Sequence, residues 1–448
     1  MAKKTKSADL SIEEKLEQAL IVPGYEPYKI PDNWCWTTLE YAAKWGSGGT
    51  PSRKVSDYYL GDIPWIKTGE LDNDFVYETE EHISEAAIRN SSAKLYPVNT
   101  VMIAMYGATI GKVGIMGVKA TTNQACANAV CGKNIYYKYL FYYAISQKDS
   151  FISKGKGGAQ PNISQEVIKK HEFPLPPLPE QQRIVERIES LFSKLDEAKE
   201  KAQEVIDSFE IRKAAILHKA FSGELTAKWR EENGVGIDEY PVYRFSEVAE
   251  IKSNLVDPAE YQDYPHIAPD NIEKKTGVLL DYHTIREDGV TSGKHRFYPG
   301  QILYSKIRPN LSKLVIVDFD GLCSADMYPI EAKGDTKCLW YYMLSEEFLE
   351  QASSAGSRSV LPKINQKELS ALRIRMPSSI DEQKEISRLL DSLIEKEYQS
   401  KRVAESVIDQ IDAMKKAILA RAFRGELGTN DPEEGSAVEL LKQILSGE

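Results

Sequence analysis

The sequence predicts an α+β chain in which two globular domains alternate with two long coiled-coil helices, the whole arrangement repeating once along the chain. Three observations carry this. Residues 180–225 return at 382–427 without a gap. Both copies place apolar residues on alternating steps of four and three, the signature of a coiled-coil seam. The segments between them are rich in tyrosine, glycine and β-branched runs of four to six residues, which read as short strands among helices. The 448 residues suffice for two to four domains, and a hydrophobic fraction of 42% beside 28% charged residues provides cores for them. No apolar run reaches the ~18 residues of a membrane span. The N-terminus has lysines but no apolar stretch or small-residue cleavage site, so no secretory signal is expected. Five scattered cysteines (Cys35, Cys126, Cys131, Cys323, Cys338) fit a reduced, cytoplasmic chain.

The elements follow in order. Residues 1–24 hold a short amphipathic helical segment, Leu10 to Leu20. Residues 25–178 are the first mixed domain. Residues 179–232 carry the first long helix, with Ile184, Ile188, Leu191, Leu195, Ala198, Ala202, Val205, Phe209 and Ile216 on its seam and a break at Arg212. Residues 233–378 are the second domain. Residues 379–428 carry the second helix, with Ile386, Leu390, Leu393, Ala404, Val407, Ile411, Met414 and Ile418 on its seam and interruptions at Glu397 and Ser400. Both helices start after proline-containing stretches (PLPPLPEQQ, MPSSIDEQ) and stop near Gly223 or Gly425. Residues 429–448 end in a second amphipathic segment, Val438 to Leu445, expected to pack on the first. Two matching seams in one chain favour pairing with each other over burial in a larger helical domain. The domains match each other more weakly. Tyr96-Pro97 precedes Val101 to Ala104 and then Gly111-Lys112-Val113, while Tyr298-Pro299 precedes Ile302 to Ser305 and then Ser312-Lys313-Leu314.

Net charge is −10, but it is segregated. Nine lysines between Pro97 and His171 face only Asp149 and Glu166, a local +7. From Arg286 to Lys313 six cations outnumber two acids, a local +4. Two basic, tyrosine- and glycine-rich regions on an acidic frame suit phosphate contacts, as they also suit a plain solvated lysine face.

Catalytic patterns are missing. Gly107-Ala108-Thr109-Ile110-Gly111-Lys112-Val113 resembles a phosphate-binding loop, yet it is one residue short and lacks the Ser or Thr that would hold magnesium. Pro269-Asp270 with Glu273 and Lys275 mimics a nuclease carboxylate–lysine set at too tight a spacing. The six histidines show no metal spacing with one another or with cysteine. There is no Gly-x-Ser-x-Gly nucleophile elbow and no Asn-Pro-Pro-aromatic string of the kind an amino-methyltransferase uses.

The closing motifs of the two helices, AILHKAFSGEL (Ala215 to Leu225) and AILARAFRGEL (Ala417 to Leu427), are the densest match. With SGGTPSR (Ser47 to Arg53), IPWIKTGEL (Ile63 to Leu71), MYGATIGKVGI (Met105 to Ile115) and TTNQA (Thr121 to Ala125), the chain resembles the specificity subunits of type I restriction–modification systems. The resemblance covers almost the whole chain. It implies a non-catalytic chain whose globular domains are target recognition domains, each reading half of a bipartite double-stranded DNA target. The helices would be conserved spacers, packed antiparallel so that a pseudo-two-fold relates the two domains. Two methyltransferase subunits using S-adenosylmethionine and two restriction motor–nuclease subunits using ATP and magnesium would assemble on this frame, with no cofactor in this chain and no membrane partner. A helix of 46 residues is at most ~69 Å long, about twenty base pairs. Fraying and side-on docking shorten the usable span, so half-site centres roughly ten base pairs apart are expected.

Candidate DNA-contacting residues of the first domain are Thr50, Ser52, Arg53, Lys67, Thr68, Tyr106, Thr109, Lys112, Asn123, Gln124, Lys154, Lys156, Gln160 and Asn162. Those of the second are Lys294, Arg296, Ser305, Lys306, Arg308, Asn310, Lys313, Ser357, Arg358, Lys363 and Asn365. Asn and Gln can bond adenine edges in pairs, and Arg and Lys reach guanine or phosphate; structural roles compete at each position. Ala215, Ile216, Phe221, Ala417, Ile418 and Phe423 either pack the coiled coil and its cap or form two equivalent faces for two identical methyltransferase subunits. The rival classes are a coiled-coil adaptor whose domains bind protein or carbohydrate, and a stand-alone nuclease or methyltransferase.

Overall fold

In the first domain the short runs Lys44–Ser47, Cys126–Val130, Val101–Ala104, Val113–Met116 and Phe75–Val76 hydrogen-bond in that order into a five-stranded sheet. Val101–Ala104 is buried at every position, and strand alternation divides its side chains. Val101 and Ile103 enter one core, and Met102 and Ala104 enter another. A smaller sheet joins His82–Ile83, Ile63–Ile66 and Thr121–Thr122. Cys35–Thr38 pairs antiparallel with Glu172–Leu175 and so brings the two ends of the domain together. The computed structural model describes residues 10–155, 161–236, 240–355 and 362–447. It divides into two units, one of residues up to Glu200 together with those from Val407 onward, the other Lys201–Ser406.

The second domain repeats the first in register. Its sheet runs Ala249–Ile251, Met327–Ala332, Ile302–Ser305, Leu314–Ile316. Ile103 pairs with Val113 as Tyr304 pairs with Leu314. Trp65 pairs in parallel with Thr121 as His266 does with Leu322. One expected correspondence slips by a residue. Tyr96 bridges Ala120 while Phe297, not Tyr298, pairs with Gly321, so the two Tyr-Pro strings are not equivalent.

The spacer helices depart from expectation at two points. The first is two segments, Leu178–Asp207 and Phe209–Phe221, joined at Ser208, whereas the second runs unbroken over Ile380–Ala422. The cause is local: the Ser208 hydroxyl donates back to the Glu204 carbonyl, and Arg212 donates to Ser208 Oγ and to the Val205 carbonyl. Met414, expected on the seam, is 46% exposed. Its neighbour Lys415 makes the contact instead, 2.5 Å from Asp196 and over the Phe192 ring. Within each unit the pairing is antiparallel. Asp196 meets Lys415 while the earlier Arg183 meets the later Glu434; Phe209 lies against Tyr398 with the rings tilted, and Arg212 meets Glu397.

Each domain is seated on the start of one helix and the end of the other. In the first unit Tyr136 N–H donates to Gln181, Lys138 and Tyr142 reach Glu189, and Tyr139 and Tyr143 pack edge-on against Phe423. In the second, Asp335 N–H donates to Gln383, Lys337 and Tyr341 reach Asp391, and Tyr342 packs against Phe221. Below these contacts each helix begins with a buried glutamate. Glu180 accepts from the Trp34 indole and the Asn430 amide. Glu382 accepts from Thr226 and Tyr240, with Arg230 at 3.5 Å. The end segments Ile12–Ala19 and Ala437–Ser446 pack together in the first unit, where Ala19 and Leu441 share one core.

Buried titratable groups follow from this packing. His171 is 4% exposed, and burial together with the Lys154 ammonium pushes its pKa down to about 4. Its neutral ring fits its partners, since Nδ1 accepts from Lys154 Nζ at 2.7 Å and Nε2–H donates to Gln147 at 3.0 Å. A depressed folded pKa stabilises the fold above the unfolded value near 6.5, and that stability is lost as pH falls toward 4. The first unit should therefore lose about 2 kcal/mol between pH 7 and pH 5 through this one residue. Urea unfolding of the intact chain and of His171→Gln at both pH values checks it; equal pH dependence in the two proteins removes His171 as the cause. Four of the five cysteines are buried and the fifth, Cys131, packs partly against the core. Burial raises the thiols of Cys35, Cys126 and Cys131 to about 12 and those of Cys323 and Cys338 further still.

Candidate nucleic-acid interface

Strand pairing decides which loops meet. Ser47 pairs with Ala127, Ala104 with Cys126, and Ile103 with Val113. The segments leaving these residues, 48–53, 105–112 and 123–125, therefore emerge at one end of the first sheet. Backbone bonds knit them together: Gly49 N–H to Thr122 O, Met105 N–H to Ala125 O, and Asn123 N–H to Ile66 O. Residues 161–163 join the same end, because Gly107 donates to Pro161, Ile163 donates to Met105, and Tyr106 bridges Asn162. Gly48 and Gly49 are required here. A Cβ on either would lie within 2.5 Å of backbone or hydroxyl atoms of the neighbouring loops.

This end gathers Thr50, Ser52, Arg53, Lys67, Thr68, Tyr106, Thr109, Lys112, Asn123, Gln124 and Asn162. Several are already engaged. Thr50 hydrogen-bonds Gln124, Thr109 donates to the Tyr106 carbonyl, and Asn123 Oδ1 accepts from Ala125 N–H. Arg53 lies over the rings of Tyr59 and Trp65 at 4.2 and 5.1 Å and forms a two-point ion pair with Glu81. Lys67 reaches Glu80 and Glu81 at 2.9 and 3.1 Å. Hydrogen bonds from Arg53 and Lys67 hold the Glu81 carboxyl below the usual range. Lys154 is tied to His171 and lies 3.5 Å from Glu172. Lys156 and Gln160 lie outside the described residues, as do Ser357 and Arg358.

The second domain builds the same end. Ser305 pairs with Met327, Tyr304 with Leu314, and the chain from Cys323 turns through residues 324–326 into Met327. Arg308 N–H donates to Pro362, Ile364 N–H donates to Lys306, and Ile307 bridges Lys363, bond for bond as in the first domain. His295, beside Lys294 and Arg296, pairs with Cys323 and brings that strand to the same place. The side chains differ. Arg296 lies 5.0–5.8 Å from the rings of Tyr261, Tyr264 and Tyr298. Lys306 donates to Ala325 O, Lys313 to Pro269 O, and Lys363 lies 3.2 Å from Asp326. Arg308 and Asn310 are exposed.

Three candidates have structural roles in place of open surfaces. Ser305 is 2% exposed and donates to the Ile307 carbonyl. Lys294 is 8% exposed and held by Ser292, its pKa lowered by burial. Asn365 caps the helix Gln366–Ala371, accepting from Glu368 N–H. Among the helix-end residues, Phe221 and Phe423 are core, Ile216 and Ile418 are half-buried, and Ala215 and Ala417 are exposed. The tyrosines around Arg296 and the acids facing Arg53 escaped sequence reasoning; tyrosine enrichment was the only signal for the former.

Among the described residues no group of three His, Cys, Asp or Glu side chains could hold a metal, and no helix is long and apolar enough to cross a membrane. Two related α+β domains, each gathering cations, amides and hydroxyls at one sheet end and each seated on its own stretch of antiparallel helices, define a scaffold of paired domains. Comparison with protein families matches residues 31–207 and 237–405 to the type I restriction modification DNA specificity domain. The specificity subunit of the type I restriction enzyme EcoDI from Escherichia coli is 36% identical over 336 residues, 68% of this chain and 76% of that one. The EcoKI specificity subunit of E. coli strain K12 is 22% identical over 93% of this chain and 96% of its own. The fold is that of the HsdS subunit from Thermoanaerobacter tengcongensis, with a TM-score of 0.65 at 18% identity over 89% of this chain and 99% of that one. The chain belongs to the type I restriction–modification specificity subunits, the DNA-target-recognising and non-catalytic component of those systems.

Proposed function

We propose that each domain reads one half of an asymmetric, bipartite double-stranded DNA target through the loops at its sheet end. The supporting observation is the paired construction of those ends. Residues 105–112 with 161–163, and 306–313 with 362–364, share their backbone bonds while their side chains differ, as two readers of unequal sequences require. Two methyltransferase subunits dock on the helix ends, where the exposed Ala215 and Ala417 beside half-buried Ile216 and Ile418 offer equivalent faces. Two restriction motor–nuclease subunits complete the assembly in the cytoplasm. S-adenosylmethionine, ATP and magnesium belong to those partners.

The test is a methylome. The chain is expressed with its methyltransferase in a methylation-free host and N6-methyladenine is mapped. The expected motif is split and non-palindromic, with one modified adenine in each half. Exchanging residues 25–178 for those of a related subunit should then rewrite one half and leave the other intact. A symmetric motif, or a swap that changes both halves, would overturn the reading.

A further inference from the structure

The two loop ends contain the same tight turn, and its backbone demands a left-handed residue at each side. In the first domain glycine meets both demands, Gly107 at φ 62° and Gly111 at φ 76°. In the second, the matching residues are Arg308 at φ 47° and Ser312 at φ 45°. Side chains bearing a Cβ are disfavoured there, and arginine lacks the short polar group that lets Asn or Asp adopt this conformation. Elsewhere the two domains fill a shared left-handed position with tolerant residues, Asn99 in one and Gly300 in the other. Pro309 further removes the ordinary helical alternative for Arg308. Two backbone bonds hold Arg308 in place: its N–H donates to Pro362, and its carbonyl accepts from Leu311.

The side chain kept at this cost is uncommitted. Lys294, Arg296, Lys306, Lys313 and Lys363 all contact protein groups, whereas Arg308 has no side-chain partner among the described residues and is exposed. Position 107 shows what surrounds this site in the sister loop, since a Cβ built there meets nothing within 4 Å. Strain retained under an exposed, unpaired side chain points to function. Resting on the proposed reading of two half-sites, we infer that Arg308 is the guanine-reading side chain of the second domain, its fork aimed by the left-handed backbone at the O6 and N7 edge.

Arg308→Gly separates the two roles of this residue. Relief of strain should raise the thermal midpoint of the chain by about 2–4 °C. Co-expressed with the methyltransferase, the variant should methylate sites in which one guanine of one half-site has become any base, a roughly ten- to hundredfold loss of discrimination at that position. The other half-site should be unchanged. Arg308→Lys keeps the charge but not the planar fork and should weaken the guanine preference, by less than the glycine variant does, while retaining affinity for random duplex DNA. An unaltered motif in the glycine variant overturns the assignment. Relaxation of both half-sites, or of a position that is not guanine, overturns it too. Failure of the underlying reading is a different result, in which the parent complex itself yields no split motif.

Discussion

Glu382→Ala is expected to destabilise the second unit by about 3–5 kcal/mol. The Glu382 side chain is 3% exposed, and one of its oxygens accepts from Thr226 and Tyr240 at 2.7 Å with Arg230 Nε at 3.5 Å. Truncation removes an acceptor shared by two hydroxyl donors that water cannot easily reach, and it removes one ion-pair contact of Arg230, a residue only 5% exposed. Glu382→Gln keeps an oxygen but not the charge and should fall between the two. Urea unfolding midpoints would rank the three proteins; an alanine variant within 1 kcal/mol of the parent would show that the cluster is solvated. Because residues 224–226 lie past the end of one spacer helix and Glu382 lies at the start of the other, the loss should also loosen the seat of the second domain.

The second large effect concerns helix register. Arg212 and Glu397 each interrupt the apolar seam of their own helix, and they meet at 2.6 Å. Glu397→Leu should cost about 2 kcal/mol, since it leaves Arg212 partly buried against an apolar surface, and Arg212→Leu should cost a similar amount. The double variant should recover most of the loss, giving a coupling of about 1–3 kcal/mol in a double-mutant cycle. Additive losses would show that the two residues do not sense each other. A half-buried polar pair in a largely apolar seam disfavours slipped alignments, which would leave both charges facing hydrocarbon.

Sequence reading found the repeat, the two domains and both seams because periodicity and gapless similarity are local properties of the chain. It found Arg212 and Glu397 as two separate faults, since nothing in either helix says which residues face each other across an antiparallel pair. The break at Ser208 was hidden for a related reason: a serine that bonds back to its own helix looks like any surface serine. The candidate interface was legible as loops, since SGGTPSR, MYGATIGKVGI and TTNQA do converge on one end of one sheet. Its electrostatics were not. Arg53 and Lys67 read as free cations, yet the strand His82–Ile83 brings Glu80 and Glu81 beside them. Lys154 reads as part of a basic stretch and is spent on a buried imidazole. Asn365 reads as an adenine-bonding amide and ends as a helix cap. Charge counts along a chain register which ions are present, whereas pairing depends on the fold.

The quiet cysteines have a practical consequence. Thiol reagents attack the thiolate, and thiols raised to about 12 are ionised at only about one part in 10⁵ at pH 7. A cysteine introduced on an exposed loop, with an ordinary pKa, would outreact all five native ones by orders of magnitude. Two such sites, one in each recognition domain, could carry a donor and an acceptor dye with the native thiols left in place. Energy transfer between the dyes would then report the separation of the two domains on a DNA duplex, and its change on methyltransferase binding, in the unmodified background of the natural chain.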